Sequence, residues 1–183
     1  MKRFELERDK AGFLFIDIQD KLLAAIFNKD DVLKNNIILA KASEIMGMKN
    51  VITLQYPKGL GRMNAEIREP LGDSIELEKS YFSCMKDENF KTEFEKQGIK
   101  QVIITGIETH ICVFQTARDM IEAGYEVFII SDAVGSRAKI NYKNALKNLR
   151  ELGCVITTTE TVLFDLLKKA GSDEFKKVQN LIK

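Results

Sequence analysis

Apolar and polar positions alternate along this chain in two distinct rhythms. Short apolar runs with little polar interruption occur at 12–18, 51–54, 101–105 and 126–131, and weaker ones at 76–79 and 154–157. Runs of this length without strict alternation mark strands buried on both faces of a sheet. Between them, apolar positions recur with helical period at 31–48, 89–97, 112–123, 142–152, 160–170 and 173–182, with a helical turn at 20–27. Gly98, Gly124 and Gly153 close three of these helices, the residue type that accepts a left-handed terminal turn. The stretch 62–77 has little period and reads as mostly irregular. Strands alternating with amphipathic helices predict an α/β fold, a doubly wound parallel sheet with helices on both faces. Right-handed crossovers and six strands give the order 3-2-1-4-5-6. No repeat, linker or low-complexity segment divides residues 1–183, so one domain is expected.

In that order the first and fourth strands are neighbours at the switch point, where ligands bind beyond the carboxyl ends of the strands. Asp17 stands at the end of the first strand. The fourth ends at Gly106, and Thr109 offers a helix N-cap, so that Cys112 lies at the start of the next helix. Backbone N–H groups and the positive end of the helix dipole favour a thiolate there. The topology thus predicts an acid and a thiol in one crevice.

Charge narrows the partners. The chain has 28 Lys and Arg against 27 Asp and Glu, a net charge of +1. This balance argues against a nucleic-acid or membrane surface as the main partner. The lysines at 143–147 and 176–183 are interrupted by apolar residues at helical spacing and read as solvated helix faces. The charged N-terminus has no apolar signal core, and no stretch reaches the ~20 apolar residues of a membrane span, so a cytoplasmic protein is expected. Cys84, Cys112 and Cys154 are widely spaced, without a CxxC pair, which disfavours a disulfide framework or zinc site. Gly59, Gly61 and Gly135 form no nucleotide-cradling motif.

Taken singly, the remaining candidates are ambiguous. A carboxylate in the apolar run at Asp17 is costly to bury unless paired, and its residues alone leave a helix cap or structural ion pair level with a catalytic role. Gln19 is an orienting amide two residues on. Lys79 by itself reads as a surface lysine, and Cys84 and Cys154 as buried apolar fillers. His110 is the only histidine; a Cys–His dyad with Cys112 is open, and a metal site on one histidine is disfavoured.

Together these residues resemble the isochorismatase-like cysteine hydrolases over nearly the whole chain. Asp17-Ile18-Gln19 after an apolar strand resembles the family's first motif, and Lys79-Ser80-Tyr81-Phe82-Ser83 its lysine motif. Gly106-Ile107-Glu108-Thr109-His110-Ile111-Cys112-Val113 resembles its nucleophile motif. The segments 55–61, 132–137 and 159–164 look closest to the metal-free isochorismatase domain-containing branch. The resemblance implies a three-layer sandwich, a catalytic triad of Asp17, Lys79 and Cys112, and a cis peptide at Ile107–Glu108. It further implies an oxyanion hole of the Glu108 and Cys112 backbone N–H groups, and Gln19, Gln55 and Ile107 as substrate-binding or orienting positions. No metal or cofactor is implied. Family nicotinamidases carry an Asp/His metal cluster after the second strand, which Gln55-Tyr56-Pro57-Lys58-Gly59 cannot form.

The activity so implied is a metal-independent hydrolase that cleaves a C–N, amide-type bond of a small molecule, other than a peptide, through a Cys112 acyl-enzyme. Alternatives are an isochorismatase-type vinyl-ether hydrolase, which does not need the thiol, and a non-catalytic scaffold that keeps the fold. The expected partners are a small-molecule substrate and further copies of the chain, in a dimer or higher homo-oligomer, with no nucleic acid and no membrane.

Overall fold

A computed structural model describes residues 4–183. Six parallel strands form one sheet: β1 (Ala11–Ile16), β2 (Lys49–Gln55), β3 (Ile75–Lys79), β4 (Gln101–Ile107), β5 (Glu126–Gly135) and β6 (Val155–Thr157). Their order is β3-β2-β1-β4-β5-β6, the doubly wound order read from the sequence. The helices are α1 (Asp20–Leu23), α2 (Lys29–Met46), α3 (Pro57–Leu60), α4 (Ala65–Arg68), α5 (Glu88–Lys96), α6 (Phe114–Glu122), α7 (Lys139–Glu151), α8 (Thr159–Leu167) and α9 (Asp173–Ile182).

Side chains alternate across the pleat, and here both sets are apolar. Phe13, Phe15, Ile52, Ile103 and Phe128 join a core with Leu39 of α2, Leu163 of α8 and Val178 of α9. Leu14, Ile16, Val102 and Ile104 join a second core with Phe90 and Phe94 of α5, Ala117 of α6 and Leu149 of α7. The unbroken apolar runs are therefore required by burial on both faces.

Several boundaries differ from the sequence reading, each for a local reason. The stretch 62–77 is more ordered than its lack of period indicates: the Asn64 side chain accepts from Glu66 N and starts α4, and a short 3-10 turn follows at Glu69–Leu71. β5 runs to Gly135 rather than stopping at Ser131. Its register against β4 shifts between Ile104 and Gly106, and the buried Asn36 and Thr105 side chains both donate to Ala133 O, at 2.9 and 2.7 Å. The helix predicted from Cys112 is divided. Residues Thr109–Val113 form a π-helical turn, and α6 begins at Phe114. Thr109 is therefore not an α-helical N-cap.

Candidate active site

Asp17 follows β1 directly, at φ 54°, and is fully buried. Lys79 ends β3, two strands away, beside Gln55 in the register. Its ammonium crosses under β2 and donates to Asp17 Oδ2 at 2.6 Å, Gln55 Oε1 at 2.7 Å and Tyr81 O at 3.2 Å. The three protons of the ammonium thus have three acceptors. The two side chains are 1% and 0% exposed, so Lys79 is not the surface lysine its local sequence indicates. Burial works against its charge, but the Asp17 carboxylate beside it outweighs this and raises the Lys79 pKa.

Asp17 Oδ1 accepts from Thr53 Oγ1 at 2.7 Å. The sequence reading passed over Thr53, since a threonine within an apolar strand is an ordinary β-former. The available signal is the β1–β2 register, which sets Thr53 opposite Ile16, next to Asp17.

Cys112 lies in the π-turn, 7% exposed, near enough to Asp17 and Lys79 for both charges to act on its thiol. The structure thus brings Asp17, Lys79 and Cys112 together. It corrects the expected thiolate. Burial, and then the Asp17 charge, push the Cys112 thiol well above its ordinary range, and Lys79 offsets only part of this. The sulfur is a neutral thiol beside a carboxylate. Cys84, near the site, is the buried filler read from the sequence: it is fully buried in the second core, its thiol pushed up to about 11 by burial, and its backbone N–H donates to Thr116 Oγ1 at 3.0 Å.

Gln19 is fully buried, and its amide is engaged by backbone. Nε2 donates to Gln55 O and Gly61 O at 3.0 and 2.7 Å, and Oε1 accepts from Gln55 N at 2.9 Å. It orients the β2–α3 loop rather than a substrate. Gln55 orients Lys79 and donates to Ser80 O at 3.0 Å. The Ile107 side chain belongs to the first core, and the Ile107–Glu108 peptide bond is cis. The Glu108 carboxylate accepts from Arg137 N at 2.8 Å and pairs with Arg137 Nε at 3.3 Å, tying the β4 end to the segment before α7. His110 engages Ser136 Oγ at 3.1 Å and Asn141 Nδ2 at 3.3 Å, so one ring nitrogen links to that segment and the other to α7, and the dyad with Cys112 is not formed. Among the described residues, no group of three or more His, Cys, Asp or Glu is placed to hold a metal ion, and no helix is long and apolar enough to cross a membrane.

The six-stranded parallel sheet in the order 3-2-1-4-5-6, with a buried acid, lysine and cysteine at its switch point, is an isochorismatase-like fold. The isochorismatase domain model matches residues 11–161; the chain belongs to this family of hydrolases. It is 36% identical over 171 residues to isochorismatase domain-containing protein 1 of Danio rerio, covering 93% of this chain and 60% of that protein. The chain thus spans about three fifths of that relative's length. Among solved structures, the MAR1 ribonuclease of Caenorhabditis elegans superposes with a TM-score of 0.90 at 31% identity, covering 97% of this chain and 92% of the other. The YcaC gene product of Escherichia coli, an octameric hydrolase of unknown specificity, superposes at 0.92 with 23% identity, covering 98% and 89%; that likeness is one of fold.

Proposed function

We propose that this chain is a cysteine hydrolase that cleaves a C–N, amide-type bond of a small molecule. One observation carries the reading: the Cys112 thiol stands within reach of the charge of a buried carboxylate that is itself paired with a buried ammonium. This set supplies nucleophile, base and balancing cation in one place. Because the thiol is neutral at rest, proton transfer to Asp17 accompanies attack of the sulfur on the substrate carbonyl carbon. The C=O bond opens to an oxyanion, held by the backbone N–H groups of Glu108 and Cys112, each worth about 10²–10³ in rate when aligned. The C–N bond then breaks as Asp17 returns the proton to the leaving amine. Water, deprotonated by Asp17, attacks the thioester and releases the acid and the thiol. Lys79 keeps the negative charge of Asp17 balanced throughout. Gln55 orients Lys79, and Gln19 holds Gln55.

The test is a panel of small amides, with p-nitrophenyl acetate as an activated acyl donor, read by intact-mass and peptide mass spectrometry. The expected result is an acyl adduct on Cys112 and loss of turnover in Cys112→Ala. Turnover that persists in Cys112→Ala would replace this reading with thiol-independent vinyl-ether chemistry. No adduct and no turnover would leave the scaffold. RNA belongs in the same panel because the C. elegans relative bears the name ribonuclease; RNA cleavage without an acyl adduct would displace the amide reading. A homo-oligomer is part of the proposal. Phe27, Tyr56, Tyr81, Phe82 and Ile140 stand exposed on segments that follow the carboxyl ends of the strands, an apolar rim that a second copy can cover. A monomer in light scattering would remove that part.

A further inference from the structure

The site contains a group that the mechanism above does not use, Thr53. We propose that Thr53 is a positioning residue that fixes the plane of the Asp17 carboxylate. This rests on the reading of Asp17 as the acid of the Cys112 site.

The carboxylate torsion of an aspartate is broad, so a single donor does not fix it. Here each oxygen has its own donor from a different strand: Lys79 Nζ of β3 on Oδ2 at 2.6 Å, and Thr53 Oγ1 of β2 on Oδ1 at 2.7 Å. With both in place the carboxylate cannot swivel, and Cys112 meets it in one orientation. Lys79 alone would hold one oxygen and leave the other free to turn away from the sulfur.

An ionised carboxylate only accepts, and a threonine hydroxyl has one proton, so the Thr53 proton goes to Asp17.

The probe is p-nitrophenyl acetate with the full chain. The burst of p-nitrophenolate gives the rate of acylation, and peptide mass spectrometry assigns the adduct to Cys112. Thr53→Val keeps the shape and removes the donor. Acylation should fall roughly ten- to hundredfold, the weight of a hydrogen bond to a charged acceptor, in the maximal rate rather than in the half-saturating probe concentration. Thr53→Ser returns the hydroxyl and should recover most of the rate, which a purely packing role for Thr53 does not predict. Thermal melts establish that each variant is folded. A folded Thr53→Val that acylates at the wild-type rate overturns the proposal, as does a Thr53→Ser no faster than Thr53→Val. These outcomes are distinct from failure of the hydrolase reading, in which wild-type Cys112 itself takes no acyl group and nothing remains to be positioned.

Discussion

Replacement of Lys79 by methionine tests the site through stability, with no substrate needed. The Lys79–Asp17 pair is closed to solvent on both sides and 2.6 Å apart. A methionine of similar length removes the ammonium and leaves Asp17 with Thr53 and Cys112 as its remaining partners. Removing one member of a buried ion pair costs about 3–5 kcal/mol, because the other charge stays buried and uncompensated. For a domain of this size each kcal/mol moves Tm by about 2–4 °C, so a fall of roughly 6–20 °C is expected. Against a total stability of about 5–15 kcal/mol, the variant remains folded but marginal. The double variant Lys79→Met/Asp17→Asn removes both charges and should return to within about 1–2 kcal/mol of wild type. The pH dependence has a definite sign. The folded pKa of Lys79 is raised above its ordinary 10.5, so its contribution is complete below that value and is lost as pH rises through the folded value. The gap between wild type and Lys79→Met should therefore be constant through neutral pH and close only in strong alkali. Urea unfolding followed by far-UV circular dichroism measures wild type, Lys79→Met, Asp17→Asn and the double variant. A Lys79→Met within about 1 kcal/mol of wild type, or a double variant that costs the sum of the singles, would refute the buried-pair argument.

Two further outcomes follow from the same geometry. The Cys112 thiol is pushed up by burial first and by the Asp17 charge second, and drawn down in part by Lys79. Asp17→Asn should therefore move the pH midpoint of Cys112 alkylation by iodoacetamide downward and Lys79→Met should move it upward, while amide turnover is lost in Asp17→Asn; midpoints that shift in the same direction would contradict the assignment of charges. Gly106 approaches β1 so closely, at φ +116°, that an added Cβ would lie 2.1 Å from Ile16 O. Gly106→Ala should therefore abolish cooperative thermal unfolding or cost several kcal/mol, and a melt within a few degrees of wild type would show that the β1–β4 end is looser than described.

The parts of this site that could be read from the sequence are those set by burial of whole strands. Phe13 to Ile16 and Val102 to Ile104 are apolar on both faces, so their places in a parallel sheet follow from composition alone, and the order then brings Asp17 to Cys112. Lys79 could not be read this way. Glu76, Glu78 and Lys79 look like a solvated edge, and only the reach of the side chain across β2 to Asp17 buries it. Thr53 was hidden by its own suitability as a strand residue, because a hydroxyl shows its hydrogen bond only in three dimensions. The π-turn was missed because it differs from an α-turn in one partner: Val113 N donates to Glu108 O at 3.3 Å, five residues back, where the sequence pattern is the same for either spacing. The expected thiolate failed for a different reason. The helix terminus was counted as favouring the anion, but burial and the Asp17 carboxylate, placed at Cys112 by the same strand order, oppose it and prevail. In the proposed reaction the acid that accepts the proton is thus also a cause of the resting thiol, and attack and proton transfer are coupled there because the sulfur beside a buried carboxylate ionises by handing its proton to it.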